Sequence, residues 1–543
     1  MRVNYRKDMV VYQIYPRSFC DTNGDGIGDL PGIISKLDYL ADLGINAIWL
    51  SPIYVSPDDD NGYDIADYTA VHPQYGTMED FDTLVAEAKK RGIGIVMDLV
   101  INHTSDEHEW FQKALAGDTK YQDYYIIREG KDGKLPNNWG NFFAECPWAP
   151  FGDTGKFYLH LFSKKQPDLN WQNPAVLEEV KRILRFWLEK GVMGFRCDVI
   201  NIIYKNTLKN GRPSPILTGM EHYLSTDGCH AILRELRKVL DEYGAFTVGE
   251  TVFVDIPKAK DLTDPRRKEL DMVFAFEHME VDQVIVKWFK TWLDPHKLMK
   301  CLAKWQKGLP WNAIYFENHD QPRFISRFSD SGKFRAKAST MMAGLQMTLR
   351  GTPYIFEGQE IGMTNGDFQD LSEVADIESH NVYALAKKLG IPEPLRWKMI
   401  LRTSRDHGRT PMQWSAAPHG GFTTGTPWLK VNGNYKTVNV ARELADPKGI
   451  RAFWKKMIHL RKTEPALIDG QFRPVLMGQH VFAFERVYGD KRLLVLCNFS
   501  GKDRKLPPRM TDWHKLVACN YNTVNFDTMR PFEFRLLEEQ NHG

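Results

Sequence analysis

Short apolar runs rich in β-branched residues alternate with amphipathic stretches along most of the chain. The runs are Val10–Tyr15, Ala47–Leu50, Ile93–Leu99, Gly194–Asp198, Phe246–Gly249, Met272–Ala275, Ala313–Phe316 and Pro353–Phe356. Runs this short and this apolar predict parallel strands covered on both faces. Between them, Asp80–Lys90 and Ala175–Glu189 repeat apolar residues every three or four positions, the period of a helix with one buried face. Eight strands in a βα alternation predict an α/β fold of the (β/α)8 barrel type, whose functional side chains gather where strands end and loops begin.

The alternation breaks in three places. Residues 103–171 are rich in Trp, Asn, Gly and Pro, too long and irregular for a connecting helix, and predict a subdomain inserted after the third strand. A second irregular insertion, about 370–411, follows the eighth strand. Beyond Glu464-Pro465, segments such as Val481–Val487 and Leu493–Phe499 alternate like antiparallel strands. The expected division is a catalytic barrel over 1–102 and 172–466, an inserted domain over 103–171, and a C-terminal β-sandwich over 467–543. A chain of 543 residues is well beyond one ordinary core, in keeping with several domains.

Charge and composition narrow the function. With 71 Lys+Arg against 69 Asp+Glu the formal net charge is +2, so no global field favours nucleic acid or an anionic membrane, and a small neutral substrate fits better. The 15 Trp, 21 Tyr and 30 Phe mostly serve the core, but flat apolar rings are also what sugar faces stack against. Seven cysteines without C-x-x-C spacing, and a start, Met1–Asp8, without an apolar stretch, predict reduced thiols and a cytoplasmic location. No apolar run reaches the roughly 18 residues of a membrane span. A monomer acting on a small oligosaccharide without an organic cofactor is expected.

Four polar clusters fall immediately after expected strands: Asp98–Thr104 after the third, Gly194–Val199 across the end of the fourth, Val248–Thr251 at the fifth, and Glu317–Arg323 after the seventh. Carboxylates at neighbouring strand ends converge on one pocket, and glycoside cleavage uses two of them, with a separation of roughly 5–5.5 Å implying retention through a covalent intermediate. Arg196 lies two residues before Asp198 on the same strand, hence on the same side, where it is expected to hold a nucleophilic Asp198 ionised. A like-charged neighbour is expected to raise Glu250, which suits a proton donor.

These clusters resemble the motifs of the α-amylase family of glycoside hydrolases. Gln13-Ile14-Tyr15-Pro16, Asn61-Gly62-Tyr63-Asp64, Gln166–Trp171, Gly351-Thr352-Pro353-Tyr354 and Arg409–Trp414 resemble its oligo-1,6-glucosidase and dextran glucosidase group, and the likeness spans essentially the whole chain. The resemblance implies Asp198 as nucleophile, Glu250 as acid/base and Asp320 as the group that grips two sugar hydroxyls and stabilises an oxocarbenium-like transition state. It implies that His103 and His319 donate hydrogen bonds to the same glucose, that Tyr63 stacks beneath it, and that Phe143 and Phe162 also touch substrate. Asp64 and Arg409 are expected to close the non-reducing end together, so that one glucose leaves at a time. Val199, directly after the nucleophile, is expected to set a preference for α-1,6 over α-1,4 linkages by crowding a directly attached second sugar.

Three departures stand out, the first bearing on the platform for the leaving sugar and the other two on chain-length preference. Val252 stands where relatives often carry Trp, and Phe143–Trp148 and Phe356–Glu360 also differ from the usual patterns. Asp21, Asn23, Asp25, Ile27 and Asp29 alternate with glycines in a loop that suits a hard cation such as Ca2+, although Gly32 occupies the twelfth position where an EF-hand has Glu. The resemblance implies structural Ca2+ there. Trehalose-6-phosphate hydrolase and sucrose isomerase share most of these motifs and are the rival activities. No phosphate-binding basic cluster stands out, and Phe324–Asp330 does not resemble the Arg-rich loop of the isomerases. A non-catalytic transporter subunit would need a membrane anchor and would usually lack the carboxylates.

Overall fold

The computed structural model describes residues 7–539 apart from 131–133, 144, 215–216, 285, 511–512 and 514. Residues 1–6, Ala144 and the last four residues, which carry part of the sequence reading above, lie outside the described residues.

Eight parallel strands form the barrel: β1 (Val11–Ile14), β2 (Ala47–Leu50), β3 (Gly94–Leu99), β4 (Gly194–Cys197), β5 (Phe246–Glu250), β6 (Met272–Phe274), β7 (Ala313–Ile314) and β8 (Thr352–Phe356). Each pairs with its sequence neighbour and β1 pairs with β8, so the barrel closes except at the β6/β7 seam, where the described residues form no ladder. Every residue of β1, β2, β4, β5 and β8 is buried, because side chains of one set fill the barrel and those of the other meet the helices outside. The covering helices are locally specified. Pro174–Glu189 starts from Asn173, whose side chain accepts from the Ala175 N–H, and turns Val176, Val180, Leu184 and Trp187 inward. Met78–Lys90 begins with a Thr77/Asp80 capping box.

The segment after β3 folds into a short helix, Glu109–Leu115, and a three-stranded antiparallel sheet with Lys156–Leu159 between Ile127–Glu129 and Trp148–Pro150. Its small core of Ile126, Trp148, Leu159 and Leu161 is shared with Val199 and Ile202, so the insertion packs directly on the loop that follows β4.

The stretch about 370–411 read as irregular instead carries two helices, Ile377–Lys388 and Glu393–Thr403, joined by a short turn. Their apolar positions do not face the barrel. Val382 and Ala386 are buried while Leu385, Leu389 and Leu395 are exposed, which blurs the one-sided period by which a core-facing helix is recognised.

The C-terminal segment is an antiparallel sheet of β9 (Gln471–Met477), β10 (Val481–Tyr488), β11 (Lys491–Asn498), β12 (Lys515–Cys519) and β13 (Phe534–Glu538), in the order β9-β10-β11-β13-β12. Phe482, Phe484, Leu493 and Val495 join the barrel's core, whereas Ala483, Leu494, Leu496 and Leu537 face a second cluster on the other side, the period-two alternation expected of a strand covered on both faces. Among the described residues no helix is long and apolar enough to cross a membrane.

Candidate active site

A cavity of about 660 Å³ opens at the C-terminal ends of the strands. Its floor is organised by Arg196. The β3–β4 register sets Asp98 beside Arg196, and Nη1 of the guanidinium lies 2.5 Å from Asp98 Oδ1 and 2.5 Å from Asp198 Oδ1, while Nη2 lies 2.5 Å from Glu250 Oε2. One cation therefore grips a carboxylate from the end of each of three adjacent strands. The Asp198 N–H donates to Leu99 O at 2.9 Å, and the Val199 N–H donates to Glu250 Oε2 at 3.3 Å.

Val199 pays for that placement with backbone strain: it sits at φ 34°, ψ 38°, left-handed space that a β-branched residue rarely enters. The shared core with the inserted sheet holds it there.

Electrostatics in the empty cavity differ from the sequence-based expectation. Burial pushes the Asp198 carboxyl well above the usual range; Arg196 opposes this, and the Glu250 and Asp98 charges add to it. Three carboxylates share one guanidinium, so the cluster favours holding a proton, and burial raises Asp98 as well as Asp198. Asp320 goes the other way. Burial would raise it, but His319, Arg405 and Arg409 together hold it well below the ordinary value. Burial also lowers His103 to about 4, so its ring is neutral near pH 7.

A second charged cluster, which the sequence reading did not assign, stands in the cavity wall in place of the expected closing pair. Asp60 Oδ1 lies 3.2 Å from Arg405 Nη2, Arg405 Nη1 lies 3.4 Å from Asp320 Oδ1, and Asp60, Arg405 and Asp320 all line the cavity. Asp376 Oδ1, 2.7 Å from Arg405 Nη2, braces the arginine from behind.

Asp64 and Arg409, expected to form this closure, do not meet. Asp64 is wholly buried, accepting from Ser56 Oγ at 3.0 Å and from the Asp59 and Asp60 N–H groups at 2.9 and 3.1 Å. Burial pushes it up to about 7. Arg409 donates through Nη2 to Asp320 Oδ1 at 2.8 Å and through Nε to His319 O at 2.9 Å. The turn carrying both arginines packs directly on the loop after β7: a Cβ on Gly408 would stand 2.8 Å from Asn318 O and from Gln321 O.

The remaining assigned residues divide between the cavity surface and the layer beneath. Tyr63, His103, Phe143, Phe162 and Val199 line the cavity with Asp198 and Glu250. The Tyr63 hydroxyl is 3.1 Å from Asp98 Oδ2 and 2.7 Å from His319 Nε2, and the two rings stack at 5.3 Å. His319 is fully buried behind Tyr63, with Nδ1 2.8 Å from Gln13 Nε2 and Nε2 3.1 Å from Asp320 Oδ2, so it supports Asp320 and does not face the cavity. Asp98, Asp60, Arg405 and Gln166, 3.1 Å from the His103 ring, were not assigned from the sequence. The signal for Asp98 was its place at the end of β3 beside Arg196. For Asp60 and Arg405 the sequence offered a second acid, Asp64, and a second arginine, Arg409, each four positions on, and Gln166 stood in the Gln166–Trp171 motif without a role.

The Asp21–Asp29 loop is tied by its own side chains. Asp21 accepts from the N–H groups of Asn23, Gly24 and Gly26 and from Thr423 Oγ1; Asn23 accepts from Asp25 N–H and Asp25 from Ile27 N–H. Asp29 accepts from Thr22 and Gly32. Among the described residues no group of three or more His, Cys, Asp and Glu converges as a metal cluster.

A near-closed parallel barrel that presents carboxylates from adjacent strand ends in one blind cavity defines a carbohydrate-cleaving barrel enzyme. Residues 13–470 match the family model of the alpha-amylase catalytic domain, and the chain belongs to the alpha-amylase family of glycoside hydrolases. It is 45% identical over 560 residues to the oligo-1,6-glucosidase of Halalkalibacterium halodurans, covering 100% of both chains. Its fold superposes on the trehalose-6-phosphate hydrolase of Bacillus licheniformis with a TM-score of 0.93 at 42% identity, covering 98% of this chain and 99% of that one. It superposes on the isomaltulose synthase of a Klebsiella species with a TM-score of 0.95 at 38% identity, with the same coverage.

Proposed function

We propose that this glycoside hydrolase removes single glucose units from the non-reducing ends of α-1,6-linked oligosaccharides such as isomaltose and panose, with retention of configuration. The observation that carries this reading is the single guanidinium of Arg196 holding Asp198 and Glu250 beside a cavity whose wall carries the Asp60–Arg405 pair, read here as blocking its inner end. A blocked end admits one glucose, and the rest of the chain extends outward. Asp198 attacks the anomeric carbon while Glu250 protonates the departing oxygen, and Glu250 then takes a proton from the water that releases the glucose. Sugar hydroxyls donating to Asp198 favour its ionised form, so that on substrate binding the proton shared by the cluster resides on Glu250. Asp320, kept anionic by its cationic neighbours, accepts from two hydroxyls of the same ring, while neutral His103, whose Nε2 donates to Tyr63 O at 3.1 Å, holds the wall beside it.

The rival substrates fit less well. Among the described lining residues the Lys and Arg side chains are Lys287 and Arg405. Both are already paired, Lys287 at 2.5 Å from Glu378, which leaves no free cation for a sugar phosphate. Arg327, in the segment after β7, is committed to Asp282 at 2.7 Å and is not available to hold a fructose. The linkage preference is assigned to Val199, whose side chain lines the cavity next to the nucleophile.

The test is to incubate the protein with isomaltose, panose, maltose, sucrose and trehalose-6-phosphate while following the first-formed anomer by NMR. Isomaltose and panose should lead, with α-glucose appearing first. Initial β-glucose, faster release from trehalose-6-phosphate, or isomaltulose from sucrose would replace this reading. Val199→Thr should lower the isomaltose-to-maltose ratio of kcat/KM.

Ca2+ is proposed for the Asp21–Asp29 loop because its donors are all oxygen. Since Asp21 already uses its acceptor positions within the protein, a bound cation adds little, and EDTA should lower Tm by only about 2–4 °C.

A further inference from the structure

Outside the charged inner end, the cavity changes character. The helix Ile377–Lys388 and the turn after it present Val382, Leu385, Ala386 and Leu389 to the opening at helical spacing, and Phe253 and Phe289 line it as well. Val382 and Ala386 are buried at its base, but Leu385 is 41% exposed, Leu389 71%, Phe253 43% and Phe289 49%. The Leu, Val and Ala side chains of this helix offer no partner for sugar hydroxyls, in contrast to Gln283, Lys287 and Glu378 elsewhere in the lining. Leaving large aliphatic groups in water around one opening marks a binding surface for something apolar. It is continuous with the site of cleavage, so whatever lies on it is attached to the glucose being removed.

On the reading proposed above, we infer that the outer half of the cavity is an aglycone site for medium-length aliphatic groups, and that the enzyme hydrolyses n-alkyl α-glucosides to glucose and the alcohol. The C1–O bond to the alkoxy oxygen breaks, and the proton of Glu250 passes to that oxygen and leaves with the alcohol. Asp198 holds the glucosyl group until water adds its hydroxyl to C1 and returns a proton to Glu250. No further reactant is needed. From Val382 to Leu389 the wall runs about 10 Å along the helix axis, length enough for an alkyl chain to lie against it. Each methylene buried there should tighten binding about two- to fourfold until the wall ends.

The experiment is a series of methyl, butyl, hexyl and octyl α-glucosides, kept below the concentrations at which they form micelles. Binding is measured by calorimetry on Glu250→Gln, and kcat/KM on the unmodified protein. The Kd should fall about two- to fourfold per methylene. In a Leu385→Gln/Leu389→Gln variant, whose changes are at exposed positions, the octyl-to-methyl ratio should collapse towards one. A series flat in chain length overturns the proposal, as does a slope that survives in the variant. Because the binding series needs no turnover, it separates this inference from failure of the α-1,6-glucosidase reading, which would show as inactivity on isomaltose.

Discussion

Two arginine-centred clusters face each other across the cavity, and they hold protons differently. Around Arg196 three carboxylates share one cation, and burial drives Asp198 up. Around Arg405 and Arg409, Asp60, Asp320 and Asp376 share two. Burial still raises Asp60 against the pull of Arg405, but Asp320 and Asp376, which burial would also raise, are held well below the ordinary value, Asp320 by His319 first and then the two arginines, Asp376 by Arg405 and Arg409. Burial is common to both clusters; the ratio of cation to anion and the distances within it decide the outcome. The first arrangement keeps a proton available for transfer, and the second keeps fixed negative charge for hydroxyls to donate to.

The comparison can be broken at several points. The largest effect belongs to the proton-rich cluster: Asp198→Asn and Glu250→Gln should each lower kcat on isomaltose by about ten-thousand-fold or more, with circular dichroism unchanged. Retention of more than a few per cent of activity in either would move the chemistry elsewhere. Arg196→Gln removes the one cation from three buried carboxylates and should cost both activity and about 3–5 kcal/mol of stability, read by denaturant unfolding. If stability is unchanged, the cluster is not held together by that charge.

Arg405→Gln should lower kcat/KM about 10- to 100-fold, chiefly through KM, because a hydrogen bond between charged groups at the closed end is lost. Arg409→Gln should instead depress kcat more than KM, since Arg409 acts through Asp320. Equal effects would erase the distinction between the residue that closes the cavity and the one that supports it.

The smallest effect is on pH. Asp64 titrates at about 7 in the folded protein against about 3.9 unfolded, so the native state binds the extra proton between those values. Stability is therefore fully retained below about pH 4 and declines as pH rises through 7. Asp64→Asn should flatten that decline, measured as Tm between pH 4 and 7.5. An identical slope in the variant would show that Asp64 does not titrate there.

Much of this was legible in the chain. The eight strands announced themselves because parallel strands buried on both faces read as uninterrupted apolar runs, and the four polar clusters fell where those runs ended. The closure was misread because Asp60 and Asp64, like Arg405 and Arg409, lie four residues apart. The choice between them is made by left-handed backbone at Asp58 and Asn61, with φ of 65° and 51°. That turn leaves Asp60 facing the cavity and Asp64 beneath it, and no apolar pattern encodes it. The helices at 377–403 escaped notice because part of their apolar surface faces the cavity and not a core. The direction of the Asp198 shift was hidden because it depends on how deeply three strand ends are buried, a quantity that neighbouring residues in the chain do not specify.

One guanidinium bonded to both carboxylates proposed to react also ties their fates together. A shift of the fourth strand carries Arg196 with it, and the side chains of Asp198 and Glu250 follow as a unit instead of drifting apart. The spacing on which stereochemical outcome depends is thereby insulated from remodelling of the loops above. Variants selected for new leaving groups should change partner freely while still delivering the same anomer.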